Sequence, residues 1–151
     1  MRTTYLWLAR LIALAVVVQA MSITFAVAGL FNWIGSKGGV VDESVYKGWQ
    51  SGMRPPFPEA VGHLIHLRAG EQVIPVIALL LLIVAFFAKV PKGVPIAGVI
   101  LVLVLLQTWS GLEGHNMPYL GLWHGFGAFM IFGAAMAGAM AAKTSPDASA
   151  T

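Results

Sequence analysis

The chain has 151 residues, 58% of them hydrophobic and 10% charged, with a mean hydropathy of +0.82. A soluble domain carries about a quarter of its residues as charges, so this composition excludes a water-soluble globular protein and leaves an integral membrane protein. There are no cysteines and the formal charge is +3; disulfides, thiolate metal sites and cysteine nucleophiles are excluded, and histidine becomes the natural ligand for any metal.

Four apolar segments follow in chain order, at residues 5–31, 60–88, 94–112 and 120–142. Each is long enough as a helix to cross about 30 Å of hydrocarbon. In the first, "AVAG" at 26–29 offers a small-residue cleavage pattern, but the apolar run exceeds the roughly 7–15 residues of a signal-peptide core, so a retained helix is expected. The connection 32–59 carries acidic and basic side chains and the stretch "RPPFP". The second segment opens on "GHLIHLRAGEQ", which packs two histidines, an arginine and a glutamate into a place where a lipid-facing helix avoids them. "KVPKG" at 89–93 joins it to the third segment, and "EGHNMP" at 113–118 turns the third into the fourth. The basic residues Arg2, Arg10, Lys89, Lys92 and Lys143 lie near helix ends that alternate in the same sense. That placement predicts cytoplasmic termini and a multi-pass protein of the bacterial cytoplasmic membrane, not a nucleic-acid-binding patch. The expected fold is all-α, an integral membrane up-down-up-down four-helix bundle forming one domain over 1–143, with a disordered tail at 144–151.

In such a bundle the second and fourth helices run parallel on a diagonal, and each carries a histidine near its outer end. His66 precedes Lys89 by 23 residues and His124 precedes Lys143 by 19, so at 1.5 Å per residue their levels differ by about 6 Å. Neighbouring axes 8–10 Å apart give a diagonal of roughly 11–14 Å, which suits two inward imidazoles holding a flat macrocycle. Positions three and four residues away share a helical face. Gly62 and Gly70 flank His66 in this way, and Gly121, Gly127 and Ala128 flank His124. The third helix adds Gln107, Ser110, Gly111 and Gly114, and the first adds Ala15, Gln19, Ser22, Ala26 and Gly29. Small residues at these spacings serve close helix packing as well as a porphyrin face.

The remaining polar groups have plainer readings beside functional ones. His63, nearly a turn above His66, reads as an outer-surface or propionate contact, with ligation as the alternative. His115 lies in a turn and reads as interfacial or haem-adjacent; with Met117 it makes only a two-residue copper pair. Arg68 and Glu71 can neutralise each other at the membrane boundary, or Arg68 can meet a propionate. Pro75 removes a helical hydrogen bond from the turn around Glu71 and predicts a kink. The five tryptophans read as interfacial or packing groups and the seven methionines as apolar fill.

The segments "IHLRAGEQVIPVIALLLLIVAFF" and "LVLLQTWSGLEGHNMPYLGLWHGFGAFMIFG" resemble one half of haem A synthase, whose helices carry "H-R/x-x-x-A/G" and "L-Q-x-x-x-G…L-H-x-x-x-A" patterns around a haem. The chain also resembles a small actinobacterial family of four-helix membrane proteins that has a "G-H-x-x-P-x-L-G-x-x-H-G" segment, here at 114–125. The resemblance implies haem ligation by His66 and His124. The synthase has eight helices and two haem sites, and its catalytic half places a carboxylate beside a ligand histidine, a placement that Glu59 or Glu71 only approximates.

The functional expectation is a membrane b-type haem protein with one haem b per chain, iron bound by His66 and His124, and an electron-transfer or redox-accessory role near the outer face. Gly62, Gly70, Gly121 and Gly127 would line the macrocycle, and Arg68, His63 and His115 would meet its edge. Partners in this reading are the lipid bilayer, a quinone or another membrane redox subunit, and a second copy of the chain; no nucleic acid is expected. The alternatives are a haem-free structural or assembly subunit of a membrane complex, and an oxidoreductase resembling haem A synthase formed by an oligomer.

Overall fold

The structure, a computed structural model, describes residues 1–144. It consists of helices α1 (Arg2–Lys37), α2 (Glu43–Gln50), α3 (Val61–Arg68), α4 (Ile74–Ala88), α5 (Gly93–Glu113) and α6 (Tyr119–Thr144), with no strand among the described residues. A 3₁₀ turn, Pro58–Ala60, leads into α3, and a π-helical turn, Ala69–Val73, joins α3 to α4. Among the described residues four helices are long and apolar enough to cross a membrane: Arg2–Lys37, Pro58–Ala88, Gly93–Glu113 and Tyr119–Thr144. Long apolar runs have no side chains that could pair their own backbone, so the helix, which satisfies N–H and C=O internally, is the form open to them. Of the tail expected at 144–151, Thr144 ends α6 and the rest lies outside the described residues.

Two features depart from the expected plan. The connection 32–59 contains helix: α1 continues to Lys37, and α2 forms inside it. Asp42 starts α2, its extended backbone turning the side chain to accept from the Val45 N–H at 2.9 Å and from the Ser44 hydroxyl at 2.6 Å. Those bonds, the Ser44 hydroxyl foremost, favour the charged carboxylate and hold its pKa below the usual value. Glu43 and Lys47, one turn apart, pair at 2.6 Å on the exposed side.

The second departure is the π turn. Pro75 has no N–H, and in the five-residue register the carbonyl it should serve is that of Gly70. The Thr108 hydroxyl of α5 takes its place, 3.3 Å from the Gly70 oxygen and 3.1 Å from that of Val104. The expected kink is thus resolved by one extra residue in the turn and a donor borrowed from the next helix.

The chain divides into two compact units, Met1–Val17 with everything from Gly70 onward, and Val18–Ala69. In the first, each of four helices gives one stripe to the core at spacings of three and four: Tyr5, Ala9 and Ile12 of α1; Ala78, Leu81 and Ala85 of α4; Ala97, Ile100 and Val104 of α5; Ile131, Ala135 and Ala139 of α6. Alanine predominates, which lets the helices approach closely. At one end of this unit Arg2 donates through Nε to the Ala142 carbonyl at 2.7 Å, and the buried Tyr5 hydroxyl donates to the Gly93 carbonyl at 3.1 Å. Gly138 leaves room for that phenol: a Cβ there would stand 3.1 Å from its oxygen. The start of α1, the α4–α5 turn and the end of α6 therefore meet at one end of the unit. The turn itself uses two left-handed lysines, Lys89 at φ 52° and Lys92 at φ 55°, to close α4 and open α5.

The second unit is built on glycine contacts and an aromatic cluster. A Cβ on Gly62 of α3 would fall on the Ser22 carbonyl of α1, and one on Gly29 would fall on the Glu59 side chain. Beyond these contacts Trp33, Trp49 and Phe57 pack with ring centroids 5.9–6.2 Å apart, fastening α2 and the 3₁₀ turn to the end of α1.

Candidate functional site

Two histidines are held by main-chain carbonyls of other helices. In the second unit the half-buried His66 of α3 has Nδ1 3.1 Å from the Gln19 carbonyl of α1. In the first unit His124 of α6, also half-buried, has Nδ1 2.9 Å from the Gln107 carbonyl of α5, with the Ser110 hydroxyl at 3.5 Å. A carbonyl oxygen only accepts, so each Nδ1 carries a hydrogen. That is the arrangement in which imidazole ligates a metal, its second nitrogen oriented by an outer hydrogen bond.

The glycines around His124 act differently from one another. Gly111 of α5 makes room for the ring itself, since a Cβ there would stand 2.7 Å from His124 Cε1. The space at Gly127 is taken by the Gln107 side-chain oxygen, whereas nothing lies within 4 Å of where a Cβ on Gly121 or Gly125 would be. Around His66, the room at Gly62 is filled by the α1 backbone, and Gly70 gives its carbonyl to Thr108. The sequence flagged Gln19, Gln107, Ser110 and Gly111 as members of faces; their bonds to the two histidines depend on helix register and emerge only in three dimensions.

Gln107 and His124 are joined twice. The ring donates to the Gln107 carbonyl, and the Gln107 side-chain amide donates from Nε2 to the His124 carbonyl at 2.7 Å. The amide oxygen, Oε1, is buried and has no hydrogen-bond partner. Beside this clasp a groove of about 400 Å³ runs between α5 and α6, walled by Leu106, Trp109, Trp123, Phe126 and Met130.

The other polar candidates stand apart from such contacts. His63 and Arg68 are exposed and Glu71 is half-buried. His115 is exposed, and its Nδ1–H donates locally to the Leu112 carbonyl at 2.7 Å, closing its own turn instead of tying two helices. Among the described residues no group of three or more His, Cys, Asp or Glu side chains gathers as a metal site.

No protein-family model, curated protein or solved structure matches this chain.

Proposed function

We propose that this chain is an up-down-up-down four-helix protein of the bacterial cytoplasmic membrane that binds one haem b, with His66 and His124 as axial ligands and an electron-transfer or redox-accessory role. The observation that carries the reading is shared by the two rings: each donates Nδ1–H to a carbonyl of another helix, the outer hydrogen bond that orients metal-binding imidazoles. The open space at Gly121 adds support. Bound in this way, haem would supply a one-electron centre without an open coordination position. The protein's own part is to fix both rings and to surround the site with apolar side chains, which sets how readily charge is added there. Arg2, Arg10, Lys89, Lys92 and Lys143 assign both termini to the cytoplasm and the histidines to the outer half. A quinone or a membrane redox subunit would exchange the electron there.

The test is the reduced-minus-oxidised absorption spectrum of protein made with ample haem. The wild type is expected to show the bands of a low-spin b-type haem. His66→Ala and His124→Ala, once shown to insert and stay monodisperse, should lose haem or turn high-spin, whereas His63→Ala and His115→Ala should stay low-spin. A bis-histidine spectrum surviving in His66→Ala or His124→Ala overturns the ligand assignment. The pair of hydrogen bonds between Gln107 and His124 favours a second reading, a haem-free structural or assembly subunit in which the histidines tie helices together. A wild type without haem bands, losing thermal stability on His124→Ala, selects it.

A further inference from the structure

We infer that the end of the first unit carrying Arg2, Lys89, Lys92 and Lys143 is a docking surface for phospholipids whose headgroups bear a net negative charge. The inference rests on the chain spanning a bilayer. It needs neither the haem nor a particular orientation, since this end meets a leaflet whichever side of the membrane it lies on.

Specific contacts bring the charges together. Arg2 and Tyr5, three residues apart on one face of α1, reach different helices. Arg2 donates to the Ala142 carbonyl at 2.7 Å and, through Nη2, to that of Lys143 at 3.5 Å, whereas Tyr5 donates to the carbonyl of Gly93, the residue after Lys92. The Gly93 N–H donates to the Val90 carbonyl at 2.9 Å and closes the α4–α5 turn, with Lys89 and Lys92 at its two shoulders. Both lysines and Lys143 are exposed. Among the described residues the acids of this unit are Glu71, 18 residues before Lys89, and Glu113, 20 residues after Gly93. At 1.5 Å per residue they stand about 27 and 30 Å away. That is more than three Debye lengths of about 8 Å each, too far to neutralise the cations.

The backbone separates the lysines from the needs of the turn. Lys89 and Lys92 hold φ of 52° and 55°, a left-handed region that glycine and asparagine enter at less cost. The turn alone therefore favours other residues, and what lysine adds is a cation on a long stem. The neighbours select an amphiphile. Phe86 and Phe87, within a turn of Lys89, and Met140, one turn before Lys143, are exposed. The surface thus passes from apolar to basic within about 5 Å along the helices. A ligand that uses both parts has hydrocarbon chains and an anionic head, whereas a free phosphate would use only the basic rim. A zwitterionic headgroup brings an ammonium that finds no carboxylate here, so the complementary lipid is a net-anionic phosphodiester.

The test is native mass spectrometry of the full chain, purified in detergent and titrated with phosphatidylglycerol or phosphatidylcholine. The wild type is expected to retain phosphatidylglycerol in preference and to lose that preference as ionic strength rises. Lys89→Asn and Lys92→Asn remove the charge while supplying a residue suited to the left-handed turn, so both should melt no lower than the wild type in lipid-free detergent. Each should weaken phosphatidylglycerol binding by about fivefold, and the two together by about 25-fold, with phosphatidylcholine binding unchanged. Lys37→Asn, which takes the same charge from the second unit, should alter neither lipid. Equal retention of the two lipids by the wild type overturns the inference, as does an equal loss in Lys37→Asn. A double Asn variant that binds phosphatidylglycerol like the wild type leaves the lysines a topogenic role only and overturns it too. Inorganic phosphate that displaces the lipid, and itself needs Lys89 and Lys92 to bind, overturns the choice of a lipid. Haem loading is measured on the same preparations. A haem protein without lipid preference keeps the haem reading and sinks this one, and a haem-free chain whose preference needs Lys89 and Lys92 does the reverse.

Discussion

Asp42 sits in a stretch that reads as a loop and yet starts a helix, because its carboxylate replaces the missing acceptor for the Val45 N–H. Its pKa is lowered from 3.8 by the Ser44 and Val45 bonds. A depressed folded pKa means that the contribution is fully present above the ordinary carboxylate value and is lost as pH falls through the lower, folded one. Hydrogen-exchange protection of the Val45 amide should accordingly hold down to about pH 4 and weaken below it. Asp42→Asn, a comparable cap without a charge to lose, should keep its protection across that range, and Asp42→Ala should lack it throughout; an Ala variant protected like the wild type would show that the cap does not matter. At this scale the sequence was informative about which residues are special and silent about their partners. His66, His124, Gln107 and the glycines stand out as small or polar groups in apolar helices. That Gly62 faces the Ser22 carbonyl and Gly127 a glutamine amide is a matter of register between helices, which no residue carries in its own identity.

Among the elements, the four long helices were legible because a run of about 20 apolar residues admits few other structures. The ends of α1 and the whole of α2 were not, since polar residues and glycines in "NWIGSKGG" conceal a helix that aromatic contacts with Trp49 and Phe57 hold in place. The π turn lies between these cases. Pro75 announces a broken bond, but the extra residue is stable only because Thr108, on a different helix, can answer the Gly70 carbonyl. Interhelical bonds of this kind inside membrane proteins average about 0.6 kcal/mol and reach about 1.7. Thr108→Val should cost an amount in that range, and the cost should nearly vanish in a Pro75→Ala background, where the helix regains its own donor. A double-mutant cycle of unfolding free energies in detergent measures the coupling. Equal costs of Thr108→Val in the two backgrounds would mean that the hydroxyl serves only Val104 and that the π turn has another cause.

At the scale of the whole molecule, charge and connectivity agree more closely than hydropathy alone required. Arg2 reads in the sequence as a topogenic charge, yet its guanidinium also closes the end of α6 through the Ala142 carbonyl, while Tyr5 holds the α4–α5 turn through Gly93. Arg2, Lys89, Lys92 and Lys143 consequently share one end of the first unit, and the proposed orientation turns that end to the cytoplasm. The absence of native cysteines makes single-cysteine labelling unambiguous. With a membrane-impermeant maleimide, Ser51→Cys should react in intact cells, and Lys143→Cys only after permeabilisation. The opposite pattern would invert the protein and carry the proposed haem from the outer to the cytoplasmic half. The Gln107–His124 clasp would survive that inversion unchanged, because it depends on the register of α5 against α6 and not on which side of the membrane they begin.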